Sequence, residues 1–168
     1  MAQLIKNGAA ATDSWTTLEL AEGETPEAVA LPEGKIIFPL AVWQARKAEI
    51  ASRPAIGLLL QSADRVEDVA GDLASFQVIA VHFPKFVDGR GYSTAALLRQ
   101  RYAYTGELRA VGDVLHDQLF FMRRVGFDSF ALKEGKNLAY AIEAGFASFG
   151  DAYQGATDQA QPYFRRRT

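Results

Sequence analysis

The feature that most restricts this chain is a rhythm that runs from Ile56 to Phe149. Four times, an apolar run of strand length gives way to a turn rich in glycine or charge, then to a segment of helical periodicity. Ile56–Leu60 is apolar throughout, as a strand covered on both faces must be. Ser62 is placed to cap a helix over Asp64–Ala74, with acidic residues near its start. Phe76–Phe83 and Tyr92–Tyr102 form the second strand and helix, Glu107–Val111 and Leu115–Val125 the third, and Gly126 is a natural helix stop. Phe127–Leu132 and Asn137–Phe149 form the fourth.

This alternation predicts an α/β fold of four consecutive βα units, with mostly parallel strands joined by right-handed crossovers. Two architectures satisfy it: an open sheet and a half-barrel. A full barrel of this type takes about 250 residues, so four units do not close one alone. Residues 1–54 read as a small N-terminal β appendage. Strands are predicted at Gln3–Lys6, Trp15–Leu20 and Lys35–Phe38, with a hairpin turn at Asn7-Gly8. An exposed connection covers Ala21–Gly34. A helix over Leu40–Ser52 is stopped by Arg53-Pro54. Residues 151–168 read as an extended tail, and the whole as one domain.

Composition removes several function classes. The chain has no cysteine, which excludes disulfides, thiol nucleophiles and cysteine-held metals. Two histidines, His82 and His116, are too few for a histidine-rich metal centre, and no metal is assigned. A net charge of −2 does not suit a nucleic-acid partner; Arg165–Arg167 reads as a solvated tail. No apolar run reaches membrane-spanning length and no leader pattern is visible, so the expected location is the cytoplasm and no membrane partner is expected.

In a parallel sheet the strand-to-helix turns share one edge, where α/β proteins keep their sites. That edge gathers Gln61 and Asp64, then Lys85 and the turn Asp88-Gly-Arg-Gly-Tyr-Ser93, then Gly112-Asp113, then Lys133 and Lys136. Gly89, Arg90, Gly91, Tyr92 and Ser93 open a helix, where free N–H groups and a guanidinium suit a small anion. The same residues also make an ordinary tight turn, with glycine at positive φ, Ser93 as cap and Asp88 bonding the backbone. Arg109, a charge inside a strand, is either a ligand clamp or one half of an internal ion pair with Asp88, Asp113 or Glu107. His82, at the end of a buried strand, is either a general base, for which it is a better candidate than His116, or a hydrogen-bonded core histidine. Asp113 and Asp117, four residues apart, are candidates for a carboxylate pair. Tyr92, Tyr102 and Tyr104 are candidates for an exposed aromatic rim. Asp88 and Arg90 are expected to face Arg109 and Asp113.

The runs Phe83–Ser93, Leu98-Arg99, Gly106–Ala110, Gly112–Leu115, Asp117–Leu119 and Arg124–Asp128 resemble a bacterial family, domain of unknown function 934. The resemblance covers roughly the last two-thirds of the chain. Members tend to be encoded beside assimilatory sulfite reductase and are often labelled oxidoreductases of sulfite reduction. The resemblance therefore implies a place in sulfur assimilation, with sulfite reductase as the partner and contact or anion binding as the mode of action. It supplies no catalytic residues and no cofactor, and the chain has no dinucleotide fingerprint. The alternative is a small enzyme or anion-binding domain working at the strand-end edge. A homo-oligomer is compatible with either reading.

Overall fold

A computed structural model describes residues 3–146 and 152–166. Eight strands form one sheet: β1 (Gln3–Lys6), β2 (Ala9–Thr12), β3 (Thr16–Thr17), β4 (Ile36–Pro39), β5 (Ile56–Leu60), β6 (Val78–Phe83), β7 (Glu107–Gly112) and β8 (Ser129–Phe130). Their order is β2-β1-β8-β7-β6-β5-β4-β3. From β3 to β8 every neighbour is parallel and in chain order, while the β1–β2 hairpin adds antiparallel beside β8. Strictly consecutive parallel strands with crossovers of one hand put every helix on the same face. The half-barrel is therefore the architecture adopted, as a curled, open sheet.

The curl follows from chain length. A flat sheet of eight strands would set β2 and β3 roughly 34 Å apart at its two edges, taking about 4.8 Å per strand. Yet Thr12 and Thr16 are joined by four peptide steps, which reach at most about 15 Å. The edges must bend towards each other, and Asp13-Ser14-Trp15 crosses between them on the concave side. Trp15 packs there on Ile37, Leu59, Val78 and Ala80.

The pleat sorts the strand residues accordingly. Phe38, Leu58, Leu60, Ile79, Phe83, Leu108 and Phe130 face outward into the large core shared with the helices. Those helices are α1 (Leu40–Ile50), α2 (Arg90–Ala96, continued by a π turn over Leu97–Arg101), α3 (Leu119–Val125) and α4 (Leu138–Gly145). A fifth, α5 (Tyr163–Arg166), ends the described tail. The inward face is narrow: a Cβ at Gly57 would lie 2.7 Å from side-chain carbons of both Ile37 and Val78.

The inward face also holds a chain of charges. The Arg109 NH1 group donates to both oxygens of Asp13 at 3.0 and 2.9 Å, and its Nε and NH2 donate to Glu107 Oε1 at 2.9 and 2.7 Å. Lys6 Nζ meets the other Glu107 oxygen at 2.6 Å. Burial pushes the Glu107 carboxyl up, but Lys6 and Arg109 outweigh it and hold the group below its ordinary value. A depressed carboxylate pKa adds stability above the unfolded-state value, and that stability is lost as pH falls through the folded-state value.

Two elements depart from the sequence reading. The crossover from β5 to β6 is a 3-10 segment, Val66–Ser75, in which Val66, Val69 and Asp72 recur every three residues. Val66 and Val69 are buried, and Asp72 accepts from Trp43 Nε1 and Lys47 Nζ. Ser62 does not cap it; its hydroxyl lies 3.5 Å from the His82 carbonyl and close enough to Asp88 to lower that carboxyl's pKa. Helix α2 begins at Arg90, ahead of the predicted Tyr92. Other expectations hold locally: Asn7 and Gly8 adopt φ of 51° and 79° in the hairpin turn, and Gly126 ends α3 at φ 116°. The predicted end of the fourth helix at Phe149 lies outside the described residues. No helix among the described residues is long and apolar enough to cross a membrane.

The crowding at Gly57 makes a direct test of the curl. Gly57→Val is expected to lower stability by about 1–3 kcal/mol, read as a lower urea midpoint with an unchanged slope; a neutral outcome contradicts the closing of Ile37 and Val78 over Gly57.

Candidate functional site

The C-terminal ends of β4 to β7 open onto a hollow of about 720 Å³. Leu59, His82, Val111 and Gly112 form its floor, Gln61 and Asp64 one side, and Thr17–Leu20 the facing wall. Pro39, Leu40 and Ala41, at the start of α1, close the end. The wall is a continuation of β3, held to β4 through Thr16 N to Lys35 O and Leu18 N to Ile37 O.

His82 reaches the hollow because β6 alternates: Val78, Ala80 and His82 point inward while Ile79, Val81 and Phe83 point to the helices. Its Nδ1 lies 2.7 Å from Gln61 Oε1. With the amide oxygen as acceptor, Nδ1 carries the proton and Nε2 keeps a lone pair. Gln61 is itself fixed, since its N–H donates to Asp64 Oδ2 at 2.7 Å and its carbonyl accepts from Asp64 N. Gly112, at φ +95°, lies against the Phe83 carbonyl and the imidazole: a Cβ there would run into Phe83 O first, and would meet His82 Cδ2 at 2.7 Å and Nε2 at 2.9 Å.

The turn Asp88–Ser93 is organised differently. Asp88 accepts from Arg90 N, Nε and NH2 at 3.2, 3.0 and 2.8 Å. Arg90 first, then the Ser62 hydroxyl, hold the Asp88 carboxyl well below the usual carboxylate range. Neither glycine supplies positive φ: Gly89 sits at φ −83°, and Gly91 is needed for contact, since a Cβ would lie 2.6 Å from the Phe83 ring. Tyr92 packs edge-on against Phe83, and burial, then Asp117, raises its phenol pKa. Ser93 lies inside α2 and makes no cap.

Arg109 does not join that turn. It lies mid-strand on the concave face, with Asp13 and Glu107 as its ion-pair partners. Glu107 was among the partners expected from sequence; Asp13, ninety-six residues away, was not. Asp113 accepts from Phe86 N at 3.0 Å and pairs with Lys133 at 2.9 Å, and Lys133 chiefly lowers its pKa. It thereby ties the loops after β6, β7 and β8 together. Asp117 is exposed on the 3-10 turn His116–Gln118, and His116 lies edge-on to Tyr140. Asp113 is thus committed to Phe86 and Lys133 and does not pair with Asp117. Tyr104 is buried, its hydroxyl bonded to Phe76 O and Glu107 O, so it does not belong to an exposed rim.

Of the sequence candidates, then, His82 alone lines the hollow, accompanied by Gln61 and Asp64 from the same predicted edge. The wall Thr17–Leu20 was invisible as part of a site, because nothing local in an alternating strand says that it ends opposite β6.

A family model described as a bacterial protein of unknown function (DUF934) matches residues 57–164. The chain belongs to that family. No curated protein matches the chain. The matched segment starts within β5, so His82, Gln61, Asp64 and Gly112 fall inside it, whereas Thr17–Leu20 and Pro39–Ala41 precede it. The family segment supplies the floor and the imidazole; the preceding residues supply the facing wall.

Proposed function

We propose that this member of the family binds a small organic molecule in the hollow at the mouth of the curled sheet, with His82 as the group that accepts or returns a proton. The observation that carries this reading is the bond from His82 Nδ1 to Gln61 Oε1, which commits one ring nitrogen to Gln61 and leaves Nε2 for a ligand beside a cavity of ligand size. An anion site at the Gly89–Ser93 turn has less support, because Arg90 Nε and NH2 are already engaged by Asp88. Arg109 is likewise occupied by two carboxylates and lies away from that turn.

A fragment screen followed by NMR tests the reading. Binders are expected to shift the His82 ring and the Gly112 amide first. Gln61→Leu is expected to weaken them about three- to tenfold, the worth of one hydrogen bond, without loss of fold. Binders that shift only Gly89–Ser93 would move the site to the turn and defeat the proposal.

A second reading is favoured by Phe86 and Val87, which are 48% and 81% exposed at the tip of the loop after β6. Apolar side chains on a loop fixed by Asp113 suit contact with a partner protein. The family's implied link to sulfite reduction makes assimilatory sulfite reductase that partner, in the cytoplasm. Val87→Asp is expected to abolish co-migration of the two proteins at micromolar concentration; absence of binding by the unaltered chain would rule the reading out.

A further inference from the structure

We infer that the hollow takes a small organic cation, a protonated amine on a short apolar body, rather than an anion. This rests on the mouth of the sheet being a binding site, and it adds the charge of the ligand.

The lining is one-sided in charge. Glu19 contributes a carboxylate from the wall and Asp64 another from the opposite side, and among the described residues no lysine or arginine lines the hollow. Asp64 uses Oδ2 to receive the Gln61 N–H, so its acceptor capacity is only partly spent. His82 lines the same hollow, and with Nδ1 bonded to Gln61 Oε1 the neutral ring offers Nε2 as a third acceptor. An ammonium group has three donors and no acceptor, which matches such a set. A sulfate or sulfonate has the opposite needs.

One feature opposes this assignment. The start of α1, at Leu40 and Ala41, brings free backbone N–H groups to the end of the hollow. A helix terminus is equivalent to roughly half a positive charge, against two full negative charges from Glu19 and Asp64, so the carboxylates set the sign. The remaining surface, from Leu59, Val111, Pro39 and Leu20, is apolar and suits a short hydrocarbon body.

The experiment compares three probes of one size, n-butylammonium, n-butanesulfonate and 1-pentanol, by NMR titration of the full chain at neutral pH. Butylammonium is expected to bind roughly tenfold tighter than pentanol, the scale of one partly exposed charge interaction, and to shift the His82 ring. Asp64→Asn and Glu19→Gln, which keep an amide oxygen in place, are each expected to lower the ratio of butylammonium to pentanol affinity. Butanesulfonate bound best at His82 would overturn the charge assignment and leave the site standing. Equal binding of all three would also overturn it. If no probe shifts His82, the site itself falls, and the inference with it.

Discussion

The structure depends on the shortness of the link between β2 and β3. Three residues, Asp13 to Trp15, join opposite edges of an eight-stranded sheet, and a chain of that reach forces the sheet to curl. Curling creates an interior, and an interior must be filled or its charges paired. Trp15 fills one part. Arg109, 4% exposed at its side chain, pairs with Asp13 from the link itself and with Glu107 from its own strand. The ion pair is thus the point at which the crossing segment is fastened to the middle of the sheet. Above this charged layer the strands diverge enough to leave the hollow around His82.

The same constraint explains why the interior narrows at Gly57 and opens at Gly112. Near the base, the side chains of Ile37 and Val78 close over Gly57 so that a methyl group has no space. At the mouth, Gly112 is again without a side chain, but there the freed space is taken by the Phe83 carbonyl and the imidazole. Two glycines on the concave face are thus required for different reasons: Gly57 by the side chains of Ile37 and Val78, Gly112 by the Phe83 carbonyl and the His82 ring.

Much of the parallel core could be read from the chain. Ile56–Leu60 is apolar at every position because helices cover one face and the curled interior the other, and its bounds match the sequence reading. The strand-end edge was legible too, together with Gln61, Asp64 and His82. Long-range pairing was not. Asp13 sits in a polar stretch that locally reads as loop, and its meaning comes from Arg109, ninety-six residues on. The Gly-Arg-Gly turn misled for a related reason. Glycine suggested positive φ or open backbone, whereas Gly91 answers to the ring of Phe83 across the packed interface. Spacing in a sequence reports neighbours along the chain, and these contacts lie across the fold.

The measurement that bears most directly on this account is a double-mutant cycle between Asp13→Asn and Arg109→Met, followed by urea unfolding. If the link crosses the concave face and is fastened there, the two residues should show a coupling of about 1–3 kcal/mol, as contacting charges do. A coupling indistinguishable from zero would mean that Asp13 does not reach Arg109 in solution, and the curl and the hollow above it would lose their basis.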